Sequence, residues 1–176
     1  MLALLIAGIL IPRVHMPSAG SLIGGPFALQ STQGGVLTEN DMKGQPFLVF
    51  FGYTNCPDIC PTTLAEISNV LARLPGKPLR ALFITIDPER DDVATLKEYL
   101  SSFDARILGL TGSLDAIEQA KKSYRVYAKK APSADGGYTM DHFSMVYLMD
   151  AKGAFVEAFD LDRKAEEAAR ELAAYL

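Results

Sequence analysis

The stretch Phe47 to Tyr53 (FLVFFGY) is a continuous apolar run, and it leads without a linker into Thr54-Asn55-Cys56-Pro57-Asp58-Ile59-Cys60-Pro61. A strand with no polar alternation has to be covered on both faces, which is the mark of a central strand in a layered α/β domain. Pro61 then opens a helix to about Leu74, with Leu64, Ile67, Val70, Leu71 and Leu74 at helical spacing, until Pro75-Gly76 stops it. A chain built on this unit places its two cysteines at a strand-to-helix junction.

The remaining pattern extends the same architecture. Phe27 to Leu29 and Val36 to Leu37 flank Gly34-Gly35, predicting a hairpin, and Thr38 to Met42 fits one helical turn. Leu79 to Ile86 reads as a second buried strand. Asp91 or Asp92 caps a helix to about Phe103 that carries Val93, Leu96, Tyr99 and Leu100 on one side. Ile107 to Leu110 is a short strand, and Thr111 or Ser113 caps a helix to about Tyr124. Val126 to Tyr138, with Pro132 and Gly136-Gly137, reads as a loop or hairpin excursion. Phe143 to Met149 and Ala154 to Phe159 form an antiparallel pair, and Asp162 caps a terminal helix. This is an α/β, thioredoxin-like layout: a central mixed sheet flanked by helices, an N-terminal hairpin, and an inserted loop or hairpin before the His-bearing strand.

Cysteines at the start of a helix lie where the helix dipole and free N–H groups favour thiolate. In Cys-x-x-x-Cys, residues i and i+4 of a helical turn share a face with Cα atoms about 6 Å apart, within reach of a disulfide or of one metal ion. Both outcomes are open. The usual dithiol motif has one residue fewer, and the wider spacing leaves more room for a metal. Of two histidines, His15 lies in a linker-like stretch and His142 ends the polar segment before a strand. In a thioredoxin-like fold that loop faces the cysteine turn. Cys56, Cys60 and His142 would form a three-donor soft set; structural zinc takes four protein ligands, whereas thiolate and imidazole suit copper. Catalytic zinc, with three protein ligands, remains an alternative.

The chain resembles the Sco/SenC family of copper-binding assembly proteins. The resemblance is carried by Ile23-Gly-Gly-Pro-Phe27, Phe51-Gly-Tyr-Thr-Asn-Cys-Pro-Asp-Ile-Cys-Pro-Thr-Thr-Leu64, Ile86-Asp-Pro-Glu-Arg-Asp91 and Asp141-His-Phe-Ser-Met-Val-Tyr-Leu-Met-Asp150. It implies a thioredoxin fold and copper, as Cu(I) or Cu(II), on Cys56, Cys60 and His142. The family's role is maturation of the binuclear copper site of cytochrome c oxidase, by delivering copper, by reducing that site's cysteines, or both. The implied partners are the copper-site subunit of the oxidase, other copper chaperones and thioredoxin-like reductants. The implied location is the periplasmic side of the bacterial inner membrane or the mitochondrial intermembrane space, with an N-terminal membrane anchor.

Met1 to Ile11 (MLALLIAGILI) is an apolar run shorter than the roughly 20 residues of a membrane span and lacks the positive flank of a signal peptide. Residues 1–23 are read as the remnant of an anchor or signal plus a linker, and residues 24–176 as one copper-binding domain. The net charge of -4 gives no support to nucleic-acid binding. Enzymatic turnover is left open: Cys56 and Cys60 would be the redox pair of a thiol–disulfide oxidoreductase, and a peroxidase or a copper or redox sensor are further rivals. Met140, Met145 and Met149 are soft donors or core fillers. Asp87 to Asp92 (DPERDD) is a docking rim or a turn with a helix start. Asp58 tunes the thiolates or starts the helix, and Tyr53 shields a metal or ends the strand. Lys121, Lys122, Arg125, Lys129 and Lys130 are a solvated face or a docking patch.

Overall fold

The computed structural model describes residues 22–133 and 136–176, so the apolar run, the linker and His15 lie outside the described residues. The chain opens with the predicted hairpin, β1 (Ala28–Ser31) and β2 (Val36–Thr38), followed by a 3-10 turn at Glu39–Met42. The central strand β3 (Phe47–Gly52) is buried at every position and feeds α1 (Ile59–Ala72). Then come β4 (Arg80–Thr85), α2 (Val93–Leu100), β5 (Ile107–Thr111) and α3 (Leu114–Ser123). The segment read as a loop or hairpin, Val126 to Tyr138, is part of a hairpin that runs further, β6 (Ala128–Pro132) and β7 (Tyr138–His142), so His142 ends the inserted hairpin instead of belonging to the strand after it. The chain closes with β8 (Val146–Met149), β9 (Phe155–Ala158) and α4 (Ala165–Ala173).

Seven strands form one mixed sheet in the order β2-β1-β5-β4-β3-β8-β9; β3, β4 and β5 run parallel and the other pairings are antiparallel. Parallel neighbours require crossovers, which α1 and α2 supply. The helices α1 and α4 pack together, α2 lies on β5, and α3 lies on β1. This is the thioredoxin-like architecture, with β6 and β7 set apart as a two-stranded sheet. Phe47, Phe50, Phe51 and Phe83 are all within 1% of complete burial, and burial of such a side chain contributes about 1.5–3 kcal/mol.

Several boundaries differ from the sequence reading, each for a local reason. The helix α1 begins at Ile59, two residues before Pro61, because the first turn of a helix has no intrahelical use for its N–H groups and tolerates proline. Asp92 caps α2 by accepting from Thr95 N at 2.7 Å, and Ser113 caps α3 by accepting from Ala116 N at 3.2 Å. Asp162 is not a cap: Lys164 holds that position without a side-chain bond, and Glu166 and Glu167 supply the negative charge of the first turn. Among the described residues no helix is long and apolar enough to cross a membrane.

Candidate metal centre

The site is built where β3 ends. Gly52 is the last strand residue, and a Cβ there would lie 2.6 Å from Phe83 Cε2 and 2.9 Å from Cys60 Sγ. The missing side chain is therefore the space that the Cys60 sulfur occupies. Because α1 starts at Ile59, Cys60 falls in its first turn and is fully buried, while Cys56 sits half-buried in the preceding turn. The Cys60 backbone N–H donates to Cys56 Sγ at 3.3 Å. The Cys56 sulfur thus takes up one of the free donors at the helix N-terminus, a role that Asp58, exposed and without a cap bond, does not fill.

His142 is the last residue of β7, on the excursion hairpin, and its ring reaches the cysteines. Its Nε2 lies 3.9 Å from Cys60 Sγ, and the donor atoms of Cys56, Cys60 and His142 all lie within 4.8 Å of one another. Among the described residues this is the one group of His, Cys, Asp and Glu side chains close enough to share an ion. On the other ring edge Nδ1 is 3.3 Å from the Phe143 carbonyl oxygen. An N–H at Nδ1 donating there leaves the Nε2 lone pair facing the sulfurs, the usual arrangement for a metal-binding imidazole. Burial holds the His142 pKa below its usual 6.5, which favours the neutral, ligating form. Burial likewise pushes the Cys60 thiol well up, so the free site disfavours a Cys60 thiolate. A cation between the sulfurs would reverse that preference, because its charge stabilises thiolate directly.

Tyr53 does more than end the strand. Its ring stands edge-on to the His142 ring at 5.7 Å, and its hydroxyl shares a 2.8 Å hydrogen bond with Thr139 Oγ1. The segment 87–91 also has a structural part that the sequence reading did not assign. Asp91 is fully buried; it accepts from Thr54 N at 3.0 Å, Thr54 Oγ1 at 2.6 Å and Thr85 Oγ1 at 2.6 Å. It ties the start of the cysteine turn to the end of β4, leaving Asp92 as the cap of α2. Acid-rich turns are common at helix starts, so sequence alone offered only the DPERDD run as a signal, with no indication of which acid turns inward.

Other sequence candidates resolve differently. Met149 is fully buried and Met140 is 8% exposed, both in the core, while Met145 is partly buried against it. The basic cluster is partly spent inside the molecule: Lys121 is buried and bonded to Glu118 and the Ala128 carbonyl, and Lys130 pairs with Glu89. A groove of about 470 Å³ opens beside His142, between Thr63 and Glu66 of α1 and the Phe143–Val146 segment.

Fold and site together define a thioredoxin-like protein with two sulfurs and one imidazole converging at the N-terminus of its first long helix. The chain belongs to the SCO1/SenC family, whose model matches residues 15–176. It is 46% identical over 141 residues to Protein SCO1, mitochondrial, of Saccharomyces cerevisiae, covering 77% of this chain and 48% of that protein. The chain spans about half the length of the curated relatives it matches. Among solved structures, Bradyrhizobium japonicum ScoI with copper bound matches at 53% identity and a TM-score of 0.85, covering 88% of this chain and 99% of the other. BsSco, a member of the Sco family of cytochrome c oxidase assembly proteins, shares the fold at 24% identity and a TM-score of 0.70, covering 88% of this chain and 94% of that one.

Proposed function

We propose that this protein is a copper chaperone that holds copper through Cys56, Cys60 and His142 and serves maturation of the binuclear copper site of cytochrome c oxidase. The observation that carries the reading is the convergence of these three donors within 4.8 Å, the one such group among the described residues. The donor chemistry fits: two sulfurs and an imidazole suit copper, and three ligands fall short of the four of structural zinc. The copper-bound ScoI structure, at 53% identity, supports copper as the ion here. Copper is cargo rather than a fixture in this reading. A half-exposed site with few ligands lets incoming thiols of an acceptor bind before the outgoing sulfurs leave.

The partners follow from the family: the copper-site subunit of the oxidase as acceptor, and other copper chaperones or thioredoxin-like reductants as suppliers of metal or electrons. The place of action in this reading is outside the cytoplasm, on the periplasmic side of the bacterial inner membrane or in the mitochondrial intermembrane space, with an anchor preceding the domain; the relatives named as mitochondrial are in keeping with the second. One observation favours a second activity on the same residues. The half-buried Cys56 sulfur, on which the N–H of Cys60 rests, is the more accessible of the pair and suits the role of attacking group of a thiol–disulfide oxidoreductase. Attack of Cys56 on an acceptor disulfide would form a mixed disulfide. Attack by the Cys60 thiolate, after loss of its proton to solvent, would then release two acceptor thiols and leave the Cys56–Cys60 disulfide.

Anaerobic copper titration of the fully reduced protein and of His142→Ala tests the reading. One copper per chain is expected for the wild type, with thiolate-to-copper(II) absorption that weakens in the variant while the disulfide still forms. Undiminished binding by His142→Ala would remove His142 from the ligand set. No stoichiometric copper with a readily cycling disulfide would favour the oxidoreductase.

A further inference from the structure

The hairpin β6–β7 that presents His142 is not hydrogen-bonded to the seven-stranded sheet. An isolated two-stranded hairpin is marginal in water, so its seating depends on what ties it to the body. The densest set of ties lies not at His142 but at the other end of β7, on Tyr138. The Tyr138 hydroxyl donates to Asp87 Oδ1 at 2.9 Å, and its carbonyl oxygen accepts from Arg90 Nη1 at 3.1 Å. The Arg90 guanidinium also lies 3.9 Å from the centre of the Tyr138 ring and donates through Nε to Asp87, which is only 1% exposed. Lys130 of β6 caps the same ring at 4.4 Å and pairs with Glu89.

We infer that the corner Asp87–Arg90 is a latch that docks the His142 hairpin, with Arg90 and Tyr138 as positioning residues for the third donor. Its functional sense rests on the copper reading above. Asp91, in the same turn, holds the cysteine side through Thr54. One short segment thus grips both halves of the site. Strand geometry makes the latch a lever: His142 lies four positions beyond Tyr138, roughly 13 Å at about 3.3 Å per residue. Between them the hairpin is tied at Thr139 to the Tyr53 hydroxyl, which makes a natural pivot. Loosening at Tyr138 therefore swings Nε2 away from sulfurs that it must approach closely.

Two details describe the grip. Arg90 Nη2 is buried without a hydrogen-bond partner, so the docked corner carries one unmet donor. The grip also depends on the planar fork of arginine, which reaches the carboxylate and the carbonyl at once while stacking on the ring; lysine offers a single point charge.

The test uses Arg90→Lys and Tyr138→Phe in the whole chain, reduced and metal-free, followed by copper(II) loading. Amide hydrogen exchange across residues 138–143 should accelerate on the order of tenfold or more in Arg90→Lys, the effect of losing one charge-assisted hydrogen bond. Exchange across residues 54–60 should stay as in the wild type. The copper(II) spectrum of Arg90→Lys should move toward that of His142→Ala, with a smaller movement for Tyr138→Phe, which keeps the ring beneath Arg90. Unchanged hairpin exchange in Arg90→Lys overturns the latch, as does equal acceleration in the cysteine turn. Faster exchange with a wild-type copper(II) spectrum also overturns it, because the corner would then not position His142. Failure of the wild type to take up copper would count against the copper reading, while the exchange comparison still decides whether the corner docks the hairpin.

Discussion

Replacing Asp91 should separate shape from hydrogen bonding at the base of the cysteine turn. The carboxylate is fully buried, and its Oδ2 receives both Thr54 N and Thr85 Oγ1 while Oδ1 receives Thr54 Oγ1. Asp91→Ala strands the Thr54 N–H and both hydroxyl donors, with Thr85 itself fully buried. At about 1–3 kcal/mol for each buried donor left unmet, and with Thr54 only half-buried, the loss comes to roughly 3–5 kcal/mol. Asp91→Asn keeps the shape. Its oxygen can stay where two donors converge, and the amide faces a Thr54 hydroxyl that rotates to accept. Only the stronger acceptor character is lost, about 1–2 kcal/mol. Urea unfolding of the reduced proteins reads both values as midpoint shifts at constant slope. An alanine variant within about 1 kcal/mol of the wild type would refute the reasoning, because three convergent bonds would then contribute no more than one. Equal damage from asparagine would also refute it, by showing that charge rather than the convergence of donors matters.

Three further outcomes follow from the same geometry. Gly52→Ala should destabilise the fold by about 1–3 kcal/mol, as overpacking of a core does. It should also slow Cys56–Cys60 disulfide formation, since the new methyl meets Phe83 and the Cys60 sulfur; wild-type unfolding and oxidation rates would show that the sulfur does not need that space. In the native reduced protein, alkylation followed by peptide mass analysis should modify the half-buried Cys56 and spare the fully buried Cys60, and equal labelling would contradict the burial. Asp104 is held below its usual pKa of 3.8 by Arg106, chiefly through the side-chain bond that closes their ion pair at 2.7 Å. A depressed carboxylate stabilises the fold above its unfolded pKa and loses that contribution as pH falls through the folded one. The stability difference between wild type and Asp104→Asn should therefore be about 1–2 kcal/mol at neutral pH and shrink below about pH 4, and a difference independent of pH would rule the ion pair out as its source.

The parts of this protein that were legible in sequence are those where one residue type answers to one local demand. Unbroken apolar runs gave β3 and β4, helical spacing gave α1, and the Cys-x-x-x-Cys turn announced chemistry because two thiols rarely fall so close by chance. The start of α1 was misjudged by two residues, since Pro61 suits the third helical position as well as the first. Asp162 was misjudged for a related reason: an acid near a helix start looks like a cap whether or not its side chain reaches a backbone N–H.

What stayed hidden depends on which way a side chain turns. The run DPERDD reads as a docking rim or a turn with a helix start, yet Asp87 and Asp91 are almost completely buried while Glu89 is exposed and salt-bridged. Burying a carboxylate is costly unless hydrogen bonds compensate, and the compensating donors come from three separate parts of the chain: Thr54, the stretch of Thr85 and Arg90, and Tyr138. No periodicity in one segment reports such a convergence. The same holds for Gly52, which in sequence is one more small residue in an apolar run and in three dimensions is the room for a sulfur. Motif residues declare the donors, but the distances among them are set by residues whose purpose shows only when the chain is folded. A Cys-x-x-x-Cys and a distant His on another scaffold would share the ligands without sharing the geometry, so transplanting this site would require Gly52, Asp91 and the Arg90–Tyr138 corner as well as the three donors.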